Sequence, residues 1–486
     1  MKFLRLNWPV AAVAALAIGH PVAADFLTIY GAPSYDGTDR TSGSGYQSAS
    51  GQLFLMNGSV YETLGKFTPG MYPGSSRGVR WDKSGSFTEF QIIGALGNGY
   101  NGGELQDVNS SATSVGYLSK YVNFDDKGFR AVKWNSSGVV SELATLGTSS
   151  TGVTTAQASA INTLGTVAGY SQKWVNGSLM GSSAVRWSAA GAITELGNLG
   201  LDASGFGDGG ARDINDAGVT VGSSQKYVAG VNKGQRAVRW DAGATAATEL
   251  GTLNTSANLQ SYDLALKINQ AGTIIGFSDK YINGFARGSR PVKWGATGTA
   301  ASELGILGTD PNGVTTGGAN DINESGVIVG RITKYLNTVD KGYRAVRWNP
   351  VNNIATDLAI LNTATDGTTN TNAMDINESG WIAGDAFKYI PDDVEVHAVV
   401  WRPDGSIIDL NSFVAPNSGW VRLDRAFSID ENLWVTGTGL FDPDGAGPKY
   451  QYFREFIMQV PEPSALMLLV PITVVLNGRA RSRQAR

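Results

Sequence analysis

The residue types that most often carry out catalysis are scarce in this chain. Its 486 residues include no cysteine and two histidines. His20 lies in the apolar N-terminal segment, and His397 stands at a repeat position where other copies have Arg, which favours a structural role over a catalytic one. A single His without a nucleophile motif supports neither a Ser-His-Asp triad nor a multi-His metal site. No carboxylate pair stands out from the repeat, so we expect no catalytic residue, no metal site and no cofactor.

Two short Asp-Gly sequences look like calcium loops. They are Asp125-Asp126-Lys127-Gly128 and Asp442-Pro443-Asp444-Gly445. Neither has the twelve-residue spacing with a terminal Glu that an EF-hand uses. Because Asp and Gly also favour plain turns, we interpret both as turns, with calcium binding as the alternative.

Basic residues recur at fixed intervals. Lys precedes an aromatic residue at Lys66, Lys120, Lys173, Lys226, Lys280, Lys334 and Lys388, and Arg recurs at a second position. These cations could line a channel that receives an acidic polysaccharide. They could instead pair with carboxylates such as Asp213 or Glu195 in a neighbouring copy. A feature present in every copy usually builds the repeat, so we favour the second interpretation.

Function tends to lie where copies differ, and four tryptophans are specific to one copy. Flat aromatic rings suit sugar faces. The candidates for a sugar-stacking surface are therefore Trp174, Trp381, Trp420 and Trp434.

The repeat that must position these residues is marked by a second set of tryptophans, spaced 53 or 54 residues apart. Each ends a pentapeptide such as Arg130-Ala131-Val132-Lys133-Trp134, and we interpret an eighth, degenerate copy as ending at Phe456. A buried aromatic is the natural filler between repeated units, so we expect these tryptophans in the core. They are Trp81, Trp134, Trp187, Trp240, Trp294, Trp348 and Trp401.

An Asn marker keeps the same period and opens the motif Asn-x-x-Gly-x-(Val/Ile)-x-Gly, which is degraded at its first member. It recurs at Asn109, Asn162, Asn215, Asn269, Asn323 and Asn377. We interpret Asn57 as a degenerate first copy and Asp430 as the last. A third marker is the sequence Glu-Leu-(Gly/Ala)-x-Leu, as at Glu195.

Each copy reads as four short strands separated by turns rich in Gly and Asn. In the fourth copy we predict strands over 211–215, 219–227, 235–241 and 248–253, with a turn at Asn232-Lys233-Gly234 before the third. Eight such copies predict an all-β fold, a β-propeller of about eight four-stranded blades, with a straight β-solenoid as the alternative. The last copy lacks its Glu-Leu strand. We therefore expect the N-terminal strand at 26–30 to complete the last blade and close the ring.

Both ends of the chain read as processing signals, which leaves residues 25–460 for the propeller. Residues 1–24 have the basic, apolar and small-residue regions of a signal peptide, with cleavage after Ala24. Residues 461–486 begin with Pro461, Glu462 and Pro463, continue as a short apolar run, and end in a basic tail. That run is shorter than the roughly 17–25 residues that a spanning helix needs. A short permanent membrane anchor is the alternative to a processed signal.

The tail resembles the PEP-CTERM sorting signal, which implies an exosortase-type processing protease as partner and a Gram-negative cell envelope or matrix as destination. The repeat, from about Gln52 to Val460, resembles the HAF-type extracellular repeat, although only His397 keeps the His of that pattern. This family brings no catalytic residues.

The net charge of −4 gives no electrostatic reason to expect nucleic acid. Membrane contact is expected only through the C-terminal segment before processing. We expect an exported, surface-sorted, non-enzymatic interaction platform that contacts extracellular polysaccharide. The alternatives are a polysaccharide lyase or hydrolase and a purely structural envelope component.

Overall fold

The computed structural model describes the strand backbone at 30–31, 45–47, 54–60, 75–81 and 87–89, and the residues 90–94, 102–442 and 452–461. The cleavage site at Ala24, the Lys66 copy, and Glu462 and Pro463 lie outside these residues. Within them, no helix is both long and apolar enough to cross a membrane.

The described strands form eight blades of four antiparallel strands each, as predicted. The first strands of successive blades are β2 (Gly45–Gln47), β6 (Gly103–Val108), β10 (Ala156–Ile161), β14 (Gly207–Ile214), β18 (Ser261–Ile268), β22 (Gly317–Ile322), β26 (Thr371–Ile376) and β30 (Trp420–Ile429). The second strands are β3 (Phe54–Val60), β7 (Ser114–Val122), β11 (Val167–Val175), β15 (Thr220–Val228), β19 (Ile274–Ile282), β23 (Ile328–Leu336), β27 (Ile382–Ile390) and β31 (Trp434–Phe441).

In each blade the third strand is longer than the fourth, which forms the outer edge. The third strands are β4 (Ser75–Trp81), β8 (Asp125–Trp134), β12 (Ser178–Trp187), β16 (Val231–Trp240), β20 (Phe285–Trp294), β24 (Val339–Trp348), β28 (Asp393–Trp401) and β32 (Tyr452–Gln459). The fourth are β5 (Phe87–Glu89), β9 (Val140–Glu142), β13 (Ile193–Glu195), β17 (Thr248–Glu249), β21 (Ala301–Glu303), β25 (Ala355–Asp357), β29 (Ile407–Asp409) and β1 (Tyr30–Gly31).

The ring is closed by the two ends of the chain. Strand β1 pairs antiparallel with β32, with Tyr30 opposite Ile457 and Gly31 opposite Phe456. It is thereby the fourth strand of the last blade. Strand β2 of the first blade lies against β30 and β31 of the last. The predicted N-terminal clasp is therefore confirmed at Tyr30 and Gly31, while 26–29 lie outside the described residues.

The first strands line the central channel, and successive first strands lie beside one another around it. We call the end of the channel where first strands begin the upper face; the hairpins between second and third strands project there. The end with the Asn-x-x-Gly turns is the lower face. Parallel pairing of β12 with β14 and of β16 with β18 joins three blades into one continuous sheet near the upper face.

Six of the seven repeated tryptophans fill the space between blades, as expected, and the side chain of Trp81 lies outside the described part of the structure. Trp134, Trp187, Trp240, Trp294, Trp348 and Trp401 are almost fully buried. Each indole donates from Nε1 to a backbone carbonyl just after the fourth strand of the preceding blade. For Trp240 this acceptor is the carbonyl of Gly197 at 2.9 Å. A buried indole N–H needs such a partner, so the one residue both fills the core and joins two blades.

The Asn marker joins blades at the lower face. The side chain of Asn162 accepts from Thr166 within its own turn and donates to the carbonyl of Asn215 in the next blade at 3.1 Å. The same inter-blade bond recurs from Asn109 to Asn377, where the acceptor is the carbonyl of Asp430. The interpretation of Asp430 as the last marker is confirmed.

The second Gly of the same motif is required by close packing. A Cβ on Gly276 would lie 1.9 Å from the carbonyl oxygen of Leu264, because a β-bulge in the first strand presses against the second. No side chain fits at that distance. Gly116, Gly169, Gly222, Gly330, Gly384 and Gly437 meet the same obstacle.

Two assignments at the chain ends were wrong. Asn57 lies inside β3 and pairs with Gly78, so it is not a turn marker, and the first blade begins at β2, before Gln52. Met458, not Phe456, occupies the Trp position of the last blade, because it pairs with Val435 as Trp401 pairs with Ile382. The sequence period is lost in the first and last copies, so only the pairing of strands shows which of their residues are equivalent to the markers of other blades.

The predicted turn at Asn232-Lys233-Gly234 was also wrong. The chain turns at Ala229 and Gly230, both with positive φ, and Val228 pairs directly with Val231. Two residues with positive φ suit the right-handed twist of a tight hairpin. Gly234 instead lies within β16, where a Cβ would lie 2.1 Å from the carbonyl oxygen of Ser261.

Candidate functional site

The repeated cations are used to build the blades. Lys226 Nζ lies 2.6 Å from Glu249, and Arg236 Nε lies 3.3 Å from the same carboxylate. Equivalent Lys–carboxylate pairs occur at Lys120, Lys173, Lys280, Lys334 and Lys388. The structural interpretation is thus supported, but these partners belong to the same blade and not to a neighbouring one. The fourth strand places Glu beside the second and third strands of its own sheet.

The repeated Arg also joins successive blades at the upper face. Arg236 donates from Nη1 to the carbonyl of Ser261 at 2.8 Å and from Nη2 to that of Leu259 at 2.9 Å. Arg130, Arg290 and Arg344 make similar bonds to the segment that leads into the next blade. These guanidiniums are buried, so they are not available to a ligand.

His397 takes the place of this Arg in the seventh blade. Its Nδ1 lies 2.9 Å from Asp409, and its Nε2 lies 3.1 Å from Glu395. Burial alone would raise the pKa of Asp409, but His397 and Lys388 lower it to about 2. The ring is almost fully buried between two carboxylates, which fits the predicted structural role.

Four blades have an Asp two residues before the Asn marker, on the first strand that lines the channel. Asp107, Asp213, Asp321 and Asp375 each accept a hydrogen bond from a backbone amide of the next first strand or of the last blade. Lys267 occupies the equivalent position in the fifth blade. The carboxylates, Asp213 foremost, raise the pKa of Lys267. Enclosure in the channel wall raises the pKa of Asp107 to about 6, against the influence of Lys267.

A cleft opens at the upper mouth of the channel where three successive blades meet. Its volume is about 340 Å³. It is lined from the sixth blade by Arg331 and Tyr343, from the seventh by Asn370, Thr371, Asn372, Met374, Asp385 and Phe387, and from the eighth by Arg425. This volume suits a ligand of small-molecule size, and the lining combines apolar faces with a few convergent polar groups.

Asp385 is the most unusual group in this cleft. Its side chain is 9% exposed. Burial raises its pKa to about 6, while the charges of Arg425 and Arg331 act in the opposite direction. Among the described residues, no side-chain hydrogen bond or ion pair within 4.0 Å engages its carboxylate. A buried carboxyl without a protein partner costs folding free energy, which marks a position kept for another purpose.

The arginines on either side of Asp385 differ from the repeated ones. The Arg331 guanidinium lies 4.8 Å from the centre of the Tyr343 ring, a cation–π contact that fixes its direction. Arg425 is exposed at the channel mouth. In the described part of the chain, neither side chain forms an ion pair or a side-chain hydrogen bond.

The sequence contains a signal for two residues of this cleft that the repeat markers do not include. Arg331 and Asp385 each follow the second Gly of the Asn motif, where other copies have Tyr117, Tyr170, Ser223, Phe277 and Thr438. From the second blade to the eighth this position varies between Tyr, Ser, Phe, Arg, Asp and Thr, beside a Gly that is the same in all seven. A search for variable positions next to invariant ones would have found it.

The four candidate tryptophans do not form one surface. Trp381 and Trp420 are each 8% exposed and belong to the core of the last two blades. Trp174 and Trp434 are half-buried and lie in the third and eighth blades. Trp381 does line a second cavity, of about 460 Å³, at the lower face, together with Arg402, Pro403 and Glu431. None of the four lines the upper cleft.

The described part of the two Asp-rich sequences does not have the geometry of a metal site. Asp125 and Asp126 lie in β8, where Asp126 accepts from the amide of Gly128 at 2.7 Å. Of the second sequence, Asp442 alone is described. Across residues 90–94, 102–442 and 452–461, no group of three or more His, Asp or Glu side chains is arranged to hold a metal ion.

Known structures that align with this chain include a β-propeller domain, a peptidase and a polysaccharide lyase. The β-propeller domain of the Trilobed protease from Pyrococcus furiosus is 8% identical at a TM-score of 0.44, over 78% of this chain and 98% of that one. A puromycin-hydrolyzing peptidase of Mycobacterium tuberculosis is 14% identical at a TM-score of 0.42, over 88% of this chain and 61% of its own, so this chain spans about three-fifths of the peptidase. The polysaccharide lyase Uly1 is 11% identical at a TM-score of 0.37, over 89% and 92%.

These similarities carry no activity over to this chain, and the eight-bladed ring rests on its own strand pairing. No family model matches the sequence, and no curated protein matches it. The resemblances of the repeat and of the tail therefore stay predictions.

Proposed function

We propose that the protein is an exported, surface-sorted, non-enzymatic binding protein that holds an extracellular polysaccharide in the upper cleft. The observation that carries this proposal is the buried Asp385 carboxyl, which lines the cleft and has no side-chain hydrogen bond or ion pair among the described residues. Tyr343 and Phe387 offer aromatic faces, and Asn370 and Asn372 line the same cleft. Aromatic faces beside hydrogen-bonding groups are what a sugar ring requires.

Binding without cleavage is favoured by the number of acids in the cleft. A glycoside hydrolase uses two carboxyl groups that flank the scissile bond. The lining of this cleft contains one, Asp385. A hydrolase or lyase is the alternative, and the experiment below distinguishes cleavage of the polysaccharide from binding alone.

The end of the last blade, at Val460, supports an outward-facing cleft. The Val460 amide donates to the carbonyl of Leu433 at 2.8 Å, at the turn on the lower face. The segment after it would approach the membrane, and an exosortase-type protease, from that side. In this proposal a Gram-negative cell sorts the protein through the tail, and the cleft on the upper face points away from the membrane.

A matched pair of channel-wall variants tests the proposal. Met374 lines the cleft, and Leu266 holds the equivalent position of the fifth blade, so Met374→Trp should fill the cleft and Leu266→Trp should not. We would measure binding of dextran, alginate and polygalacturonate by calorimetry, together with the appearance of new chain ends. Binding that Met374→Trp abolishes and Leu266→Trp keeps, without cleavage, is expected. Failure to bind any of the three, or release of new chain ends, would overturn the proposal.

A further inference from the structure

We infer that the upper cleft selects saccharides that carry a carboxylate, that is, uronate-containing chains. This inference rests on the proposed function and specifies its ligand. The cleft lining contains the two guanidiniums of Arg331 and Arg425 and the one carboxyl of Asp385. With Asp385 ionised, the formal charge of the lining is therefore +1, and protonation of Asp385 raises it to +2.

Neither guanidinium has an ion pair or a side-chain hydrogen bond within the described part of the chain, so both can pair with a ligand. Arg236, by contrast, is buried, pairs with Glu249 and donates to carbonyls of the next blade. Arg331 contacts the face of Tyr343 through a cation–π contact, in which no oxygen or nitrogen acceptor pairs with its N–H groups. A planar guanidinium matches a carboxylate in a bidentate pair, so two arginines at one cleft favour that ligand group over a hydroxyl.

Asp385 distinguishes a uronate from a sulfated or phosphorylated sugar. An ionised Asp385 can accept hydrogen bonds from sugar hydroxyls. A protonated Asp385 can donate to a ligand carboxylate, and a carboxylic acid and a carboxylate can share one proton. A sulfate ester can accept a hydrogen bond from the acid, but it is too weakly basic to share the proton, so it gains less from protonated Asp385 than a uronate does. The charged groups that act on Asp385 are Arg425 from β30 and Arg331 from β23.

This arrangement predicts how binding depends on pH. The pKa of Asp385 lies at about 6 in the free protein. Above it the ionised carboxylate repels the ligand carboxylate, and below it that repulsion is removed. Binding of a uronate should therefore strengthen as the pH falls from about 7.5 to about 5.5, where the ligand itself is still ionised.

The test compares trigalacturonate, maltotriose and a sulfated oligosaccharide by calorimetry on the full-length protein. Arg331→Gln and Arg425→Gln should each weaken trigalacturonate binding by roughly tenfold or more, as loss of a charged hydrogen bond does. Arg212→Gln, which changes an exposed first-strand Arg four blades away from Arg425, should change it less than about twofold. Asp385→Asn should keep binding but remove its pH dependence. Thermal melts of each variant would confirm that it is folded.

The outcomes separate this inference from the proposed function. Equal affinity for maltotriose, tighter binding of the sulfated probe, or equal losses in Arg212→Gln and Arg425→Gln would overturn the uronate inference. The proposed function would still stand after any of these outcomes, provided that saccharides bind and that Met374→Trp abolishes the binding. If no saccharide binds at all, both fail.

Discussion

Asn269 donates a hydrogen bond from Nδ2 to the backbone carbonyl of Asn323, 54 residues further along the chain, at 3.1 Å. Both residues are almost fully buried. The same side chain accepts from the amide of Thr273 at 2.8 Å. One residue therefore shapes its own turn and ties its blade to the next, which explains why the marker keeps the period of the repeat.

Replacing this residue should cost more than replacing its exposed neighbour. Asn269→Ala leaves the buried carbonyl of Asn323 without its donor, which should lower the free energy of unfolding by about 1–3 kcal/mol. Gln270 makes a similar inter-blade bond, to the amide of Asp216, but in an exposed position. Gln270→Ala should cost less than about 0.5 kcal/mol. Chemical denaturation measures both, and equal losses would show that the Asn bonds do not tie the blades together.

Ala112→Gly should stabilise the protein. Ala112 has a φ of 61° at the turn position where five other copies have Gly. A residue with a Cβ is strained in that conformation, and Gly is not. We expect a gain of about 0.5–1 kcal/mol. Gly165→Ala, the reverse change at the same position of the next blade, should cost a similar amount, and a loss of stability in Ala112→Gly would contradict this account.

Removal of residues 25–31 should loosen the last blade first. Strand β1 covers the outer edge of β32, and its loss exposes unpaired backbone groups there. Hydrogen exchange should show faster exchange in 452–459 than in full-length protein, with little change in β18 and β19. Uniform loss of protection around the ring would instead indicate that closure stabilises all blades together.

Asp385→Asn should raise stability at neutral pH. The pKa of Asp385 is raised from 3.8 to about 6 in the folded protein, so its unfavourable contribution is absent at low pH and develops as the pH rises from about 4 to 6. Loss of the ionised group should therefore stabilise the fold by about 1–3 kcal/mol at about pH 7.5 and by little at about pH 3.5. Chemical denaturation at both pH values measures this gain. An equal gain at both would show that the buried charge of Asp385 is not its cause.

Lys267→Met should destabilise the channel in a pH-dependent way. Lys267 is the cation whose charge lowers the pKa values of Asp107, Asp321 and Asp375. Because it faces the solvent of the channel, we expect a loss of about 0.5–1 kcal/mol at about pH 7.5. The loss should shrink below about pH 5 as the carboxyls take up protons. A loss that stays constant with pH would indicate packing of the Lys267 stem as the cause.

The period of the sequence by itself determined the number of blades, the buried tryptophans and the N-terminal closing strand. The blades and tryptophans recur at a fixed spacing, and the N-terminal strand completes the last of these blades. The spacing of residues in the sequence therefore predicts all three. Where the period decays, as at Asn57 and Phe456, the register was wrong, because only strand pairing fixes which residues face each other.

The tertiary structure alone decided which residues meet in the cleft. Arg331, Asp385 and Arg425 come from three blades and are separated by 54 and 40 residues in the sequence. Each is an ordinary charged residue in its own copy. Curvature of the ring brings them to one mouth of the channel, where burial and mutual charge change the chemistry of Asp385. The sequence pattern shows which residues each copy contains, but it does not show which side chains of different blades lie together.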